Sequence, residues 1–279
     1  TRDWQRRSCV TEANPGWREA IFNRRMLICV FTGFASGLPF FLIIQMMPIW
    51  LQEGGVSLAE IGLFALVGMP YTLKFLWAPL MDRYVPPFLG RRRGWLLVTQ
   101  LLLLCSIGFM GGFSPEDSLQ QITLLALVLV FASASQDVVL DAYRRELLPD
   151  HELGLGNSIH VQAYRLAGLV PGSLSLVLAD QLAWPVVFWI TASFMLLGVA
   201  MCLAVKEPES ELPESHGLLG AVVDPFLEYW RRRGWQGVLL VLSFLFLYKL
   251  GDSMATALSS VFYRDLGFSK TEIGLVAKN

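Results

Sequence analysis

Seven long apolar runs, separated by short polar stretches, make up most of this 279-residue chain. They extend over about residues 26–51, 58–80, 95–112, 119–143, 157–178, 184–205 and 235–262, and an eighth begins at 271. A helix needs about 20 apolar residues to cross a bilayer. With 54% hydrophobic and 16% charged residues, the chain is too apolar for an ordinary soluble domain. The pattern therefore predicts an all-α polytopic membrane protein.

Basic residues are concentrated in alternate loops. Sixteen Lys and Arg precede the first run or follow the second, fourth and sixth, whereas the loops on the other side hold only Arg264 and Lys270. Because basic loops remain in the cytoplasm, the N-terminus is expected to be cytoplasmic. The predicted organisation is a cytoplasmic arm (1–23), a six-helix bundle (24–205), a cytoplasmic linker (206–235) and the start of a second bundle (236–279).

An internal repeat follows the first and the seventh run. Gly55–Leu63 reads GVSLAEIGL, and Gly267–Leu275 reads GFSKTEIGL. Each copy has Ser followed three residues later by Glu, the pattern of a helix capping box. Capping alone explains part of the match, but each copy also follows a long run that is preceded by an Arg cluster. We expect a duplication of six helices in one orientation, as in the major facilitator architecture, with this chain holding the first half and the start of the second.

Ionisable side chains lie inside several of the apolar runs. Charges within a bilayer are costly, so they usually face the protein interior and mark a substrate or ion pathway. The third and sixth runs carry none, and we expect these two helices to face lipid. The charged helices should line an interior with the charges that they carry: Lys74, Asp137, Asp141, Arg165, Lys249 and Asp252.

Three of these charges are expected at a similar depth. Lys74, Asp137 and Arg165 lie roughly 10–15 Å below the cytoplasmic surface, at about 1.5 Å per residue. They are predicted to form one cluster, which serves either as a structural ion network or as a path for substrate and protons. Asp141 also has a structural interpretation. It precedes Arg145 by one helical turn, so the two side chains can form an ion pair within the helix.

Three further features of the spans are interpreted as packing. Gly33 and Gly37 in the first span, like Gly168 and Gly172 in the fifth, have the GxxxG spacing that lets membrane helices approach closely. His160 is interpreted as a packed, hydrogen-bonded residue, with a proton relay as the alternative.

The sequence lacks the patterns of several other protein classes. Its four cysteines are widely spaced, without a CxxC or another metal-binding spacing. Neither HExxH nor GxSxG occurs, and the net charge of −1 does not predict a nucleic-acid partner. We therefore expect no cofactor, no bound metal, no nucleic acid and no enzymatic activity.

The loop after the second run carries a recognisable motif. APLMDRYVPPFLGRRRGW, Ala78–Trp95, is similar to the major facilitator signature, Asp-Arg followed by Gly and basic residues, although six residues here separate Arg83 from Gly90. Together with SASQDVVLDAYRRELLP and LYKLGDSMATAL, it resembles the AmpG-type muropeptide permeases. The similarity extends from about Arg24 to the end of the chain, and the arm departs from it.

The resemblance implies proton-driven import of anhydro-muropeptides (GlcNAc-anhydroMurNAc peptides) by a monomer in the bacterial inner membrane. Such import serves cell-wall recycling and, in many bacteria, β-lactamase induction. The residues expected to couple protons are Asp137, Asp252 and Asp141. Substrate binding is assigned to Lys74, Arg165, Lys249, Gln136, Gln45 and Tyr164. The gating motif comprises Asp82, Arg83, Arg91 and Arg92.

Three other functions remain open at this point. An acetyl-CoA-like or other organic-anion facilitator would use the same basic groups for its cargo. A membrane muropeptide sensor would bind without transport. A membrane enzyme would alter its substrate, although charges spread over four helices suit a central passage better than one interfacial active site.

Overall fold

The computed structural model describes residues 21–206, 227–244 and 247–248. The chain divides into two compact units, 1–215 and 216–279. In the second unit the described residues are helical from 227 onward, so this helix begins before the apolar run at 235. Most of the predicted arm and linker, the second copy of the repeat, Lys249 and Asp252 lie outside the described residues.

Within its described residues, 21–206, the first unit contains six helices long and apolar enough to cross a membrane. They are Arg24–Glu53, Leu58–Leu76, Arg91–Met110, Pro115–Leu147, Leu153–Ala179 and Trp184–Ala204. Every regular element in the described part of the chain is helical. The predicted all-α polytopic fold is therefore confirmed for these six spans.

The fourth span is longer than its apolar run predicts. Its helix covers Pro115–Leu147, with a kink at Ser118 where the backbone angles are non-helical, whereas the run covers only about residues 119–143. Pro115 lacks the N–H that a first helical turn leaves unpaired, and Glu116 and Asp117 favour the positive N-terminal end of the helix dipole. Polar ends therefore extend this helix beyond the region that hydropathy detects, and they bring Arg144 inside the span.

Proline interrupts the second span. Its helical pieces, Leu58–Phe64, Met69–Leu73 and Ala78–Arg83, are separated by 3₁₀ turns. Pro70 and Pro79 occupy the first turns of the later two pieces, where a missing N–H is tolerated. Lys74 opens the 3₁₀ turn that follows Leu73. The break thus places a cation at an irregular point of the backbone.

The first and fifth spans pack through glycines. A Cβ atom on Gly33 would clash with the backbone carbonyl oxygen of His160, and one on Gly37 with that of Tyr164. Each of these contacts is with the backbone, which cannot rotate away. The packing interpretation of the first GxxxG motif is confirmed.

The second GxxxG motif packs against the first span. A Cβ atom on Gly168 would meet the ring of Phe41, and one on Gly172 would meet the carboxamide of Gln45. Both motifs therefore serve the contact between the first and fifth spans, which sets the wall of the cavity described below.

The third and sixth spans also lie against each other. Gly108 receives the ring of Trp189, and Gly111 receives Phe188. Apolar side chains on both helices are exposed, as a lipid-facing pair requires: Val98, Leu101, Leu102, Phe109, Leu196 and Leu197.

The capping box after the first span is present. Glu60 accepts hydrogen bonds from the backbone N–H and the hydroxyl of Ser57, and the Ser57 hydroxyl accepts one from the Glu60 N–H. These bonds satisfy amides where the second span begins.

Candidate functional site

A cavity of about 450 Å³ lies between the first, fourth and fifth spans. Its volume is within the range of small-molecule binding sites. The structure brings four of the predicted site residues together on its wall, and adds others that the sequence did not single out as site residues. The lining residues are Ser36, Phe41, Asp137, Asp141, Arg144, Asn157, His160, Val161, Tyr164 and Arg165.

Asp137 is the less exposed of the two carboxylates that line this cavity. Its side chain is 16% exposed. The Ser36 hydroxyl donates to Oδ1 at 2.6 Å, and the Lys74 ammonium lies 3.9 Å from Oδ2. Three spans therefore meet at one carboxylate. A buried charge needs a partner, and here either the Lys74 cation or a bound proton provides compensation.

Asp141 pairs with a different arginine from the one expected. Arg144 Nη2 donates to Asp141 Oδ1 at 2.9 Å, whereas Arg145 donates to Asp150 at the same distance. The expected Asp141–Arg145 pair is therefore wrong. Arg145 lies near the end of the helix, where Asp150 in the following turn is within its reach. The count of Arg144 as a loop charge is also corrected, because this residue is helical and lines the cavity.

His160 is held by Thr32 of the first span. Its Nδ1 lies 3.2 Å from the Thr32 hydroxyl, which donates to the Cys29 carbonyl oxygen at 3.0 Å. Since that hydroxyl has one proton, it accepts from Nδ1–H, and Nε2 of the neutral ring is an acceptor. The packed, hydrogen-bonded interpretation of His160 is confirmed.

Gln136 satisfies a backbone group that a proline leaves free. Pro39 inside the first span has no N–H to donate to the Ala35 carbonyl four residues earlier. Gln136 Nε2 donates to that oxygen at 2.9 Å. This amide is fully buried and does not line the cavity. It therefore connects the first and fourth spans directly beside Asp137.

Tyr164 and Gln45 occupy different surroundings. Tyr164 lines the cavity within an aromatic cluster, with its ring centroid 5.8 Å from Phe40 and 5.4 Å from Phe41. Gln45 lies against Gly172 and is not part of the cavity wall. Its predicted substrate contact is not tested by this geometry.

A second charged group joins the predicted gating motif to the end of the fourth span. Glu146 Oε1 accepts from Arg91 at 3.0 Å and from Arg92 at 2.6 Å, and Arg92 also donates to Asp82. We call Asp82, Arg91, Arg92 and Glu146 the ionic clamp. Both arginines are almost fully buried, whereas Arg83 is exposed. The sequence did not single out Glu146, which lies in the polar segment beyond the apolar run.

Replacing Glu146 with Gln is expected to lower the thermal stability of the detergent-solubilised protein. The substitution leaves two buried guanidinium groups with less opposing charge, and breaking such a pair costs about 3 kcal/mol. Asp150→Asn is the matched control, since it removes the carboxylate of an exposed Arg145 pair and should leave the unfolding temperature unchanged. Equal unfolding temperatures for the two variants would show that the clamp contributes no stability.

Comparison with known proteins places this bundle in a superfamily. Residues 29–277 match the family model of the Major Facilitator Superfamily. The chain belongs to this superfamily. In the described residues, no group of three or more His, Cys, Asp or Glu side chains is arranged to hold a metal ion.

Relatives of the chain include named permeases. It is 44% identical to the anhydromuropeptide permease of Escherichia coli K12, over 91% of this chain and 52% of that protein. It is 51% identical to an uncharacterized protein of Haemophilus influenzae, over 93% and 61%, and 31% identical to putative transporter AmpG 4 of Rickettsia felis, over 88% and 61%. The resemblance to muropeptide permeases is thus confirmed. The chain spans between about half and three fifths of the length of these relatives.

Proposed function

We propose that the protein imports anhydro-muropeptides across the bacterial inner membrane, driven by the proton gradient. The observation that carries this proposal is the partly buried Asp137 carboxylate at a cavity between the spans, paired with Lys74. The 44% identity to an anhydromuropeptide permease supports the choice of cargo. The proposal includes a cytoplasmic N-terminus. Import would serve cell-wall recycling and, in many bacteria, β-lactamase induction.

Coupling follows from competition for Lys74. The proposed cargo carries carboxylates, and a carboxylate that approaches Lys74 competes with Asp137 for the same cation. Protonation of Asp137 removes this competition, so cargo and proton favour each other's binding. Proton and substrate then cross together as the transporter alternates between its outward-facing and inward-facing states. Lys249 and Asp252 remain the predicted contributors from the second half.

Lys74 lies behind Asp137 and is not among the residues that line the cavity, but the cavity wall itself has groups suited to such a cargo. Arg165 offers a guanidinium that makes no ion pair with any described residue, and Tyr164 offers a phenolic hydroxyl for sugar groups. Asn157 adds an amide, and His160 adds an acceptor at Nε2. In this proposal the ionic clamp closes the cytoplasmic ends of the second, third and fourth spans and must loosen during transport.

The experiment is uptake of labelled anhydro-muropeptide by right-side-out vesicles that contain the protein, with and without a protonophore. We expect accumulation of unmodified muropeptide that collapses when the protonophore is added. Accumulation that persists would contradict proton coupling. Binding without accumulation would favour a sensor, and a chemically altered product would favour an enzyme.

An organic-anion facilitator is the second candidate, because Arg165, which makes no ion pair within the described part of the chain, would suit other anions. A competition experiment distinguishes the muropeptide permease from the organic-anion facilitator. Acetyl-CoA added in excess should leave muropeptide uptake unchanged if the muropeptide is the cargo, and should suppress it if the site prefers CoA esters.

A further inference from the structure

The last turns of the fourth span direct one of two adjacent arginines into the cavity. The side chain of Arg144 lines it and is 15% exposed, whereas that of Arg145 is 63% exposed and pairs with Asp150 in the following turn. The two residues have the same chemistry and neighbouring positions. Their different environments indicate that Arg144 has a role that Arg145 does not share.

The guanidinium of Arg144 has unused hydrogen-bonding capacity. Nη2 donates to Asp141, but Nη1 is buried without a hydrogen-bond partner among the described residues. A buried donor that makes no hydrogen bond is costly, and charged donors more so. A ligand group with two acceptor oxygens would satisfy the planar fork that Nη1 and Nη2 form.

The carboxylate of Asp141, which pairs with Arg144, can be replaced by a ligand. The side chain of Asp141 is 56% exposed, so water can solvate this carboxylate when it leaves the pair. Exchange of Asp141 for a ligand carboxylate would keep the charge on Arg144 compensated. The other two cations lack such an exposed, replaceable partner. Lys74 pairs with Asp137, whose side chain is only 16% exposed, and Arg165 has no carboxylate partner among the described residues.

We infer that Arg144 is a carboxylate-binding residue for the cargo and that Asp141 occupies it while the cavity is empty. The inference rests on the proposed function and names one further contact within it. Arginine suits this task because its rigid fork pairs with both oxygens of a carboxylate, which a lysine ammonium does not do. Asp141 then acts as a stand-in for the cargo carboxylate rather than as a carrier of the proton.

The test compares two cargoes in each variant: the labelled muropeptide with free peptide carboxylates, and an analogue in which those carboxylates are amidated. For Arg144→Gln we expect KM for the free acid to rise by at least about tenfold, with a much smaller change for the amide. For Arg144→Lys, KM for the free acid should lie between the values for the unaltered protein and for Arg144→Gln. Arg145→Gln, the matched control, should change neither KM.

Asp141→Asn provides a test of opposite sign. Without the competing carboxylate, Arg144 should bind the free acid more tightly, so KM for the acid should fall while KM for the amide stays constant. The quantity compared is the ratio of KM for the free acid to KM for the amide. Because both KM values are measured on the same variant, this ratio does not depend on how much protein folds. If Arg144→Gln yields no folded protein, the KM ratios of Arg144→Lys and Asp141→Asn still test the inference.

The outcomes separate this inference from the function on which it rests. If the unaltered protein neither binds nor accumulates the muropeptide, the proposed function fails. If it accumulates the muropeptide but Arg144→Gln shifts acid and amide equally, or resembles Arg145→Gln, the inference alone is overturned.

Discussion

Replacement of Asp137 by Asn is expected to abolish proton-driven muropeptide accumulation while leaving a folded, membrane-inserted protein. Asparagine has the same shape and retains an oxygen that accepts from Ser36. It cannot bind a transferable proton, and it no longer competes with cargo for Lys74. Accumulation should fall to the level measured with protonophore, whereas exchange of labelled for unlabelled cargo across the membrane should persist.

The matched control is Asp180→Asn. Asp180 follows the last helical turn of the fifth span and is exposed, away from the residues that line the cavity. Its substitution should leave both accumulation and exchange unchanged. Normal proton-driven accumulation in Asp137→Asn would remove this carboxylate from the coupling mechanism. Loss of exchange as well as accumulation would assign Asp137 to cargo binding or to structure instead.

Sequence alone predicted the first six spans well because a bilayer imposes a strong length requirement on apolar runs. It was weaker at their ends. Pro115 and the acidic residues after it start a helix before the apolar run begins, and Arg144 belongs to a helix although it looks like a loop charge. Hydropathy shows whether the residues of a segment prefer lipid or water, whereas the ends of a helix depend on capping and dipole interactions.

The central pair of the site was also accessible from sequence. Few residues carry charge within the spans, so few ion pairs are possible for Lys74 and Asp137. The structure places these two side chains in one ion pair. The hydrogen bonds of His160 and Gln136 were not accessible in this way. Each joins two helices at one atom, and such contacts depend on helix rotation and crossing that a linear pattern does not encode.

Alanine at Gly37 is expected to destabilise the bundle and impair transport together. Its Cβ atom would clash with the backbone carbonyl of Tyr164, which cannot move without separating the first span from the fifth. Helix propensity acts in the opposite direction, because Ala stabilises a helix over Gly by up to about 1 kcal/mol. Overpacking costs about 1–3 kcal/mol, and a backbone obstacle places this site at the upper end, so the clash dominates.

Gly62→Ala is the matched control, because it introduces the same methyl group into a helix where nothing lies within 4 Å. It should unfold at the same temperature as the unaltered protein in one detergent, or slightly higher, while Gly37→Ala unfolds at a lower one. Gly37 also adjoins Ser36, the hydrogen-bond donor to Asp137, and it packs on Tyr164 of the cavity wall. Separation of these two helices would therefore weaken the site as well as the fold. Equal stability of the two alanine variants would show that the first and fifth spans do not need this close approach.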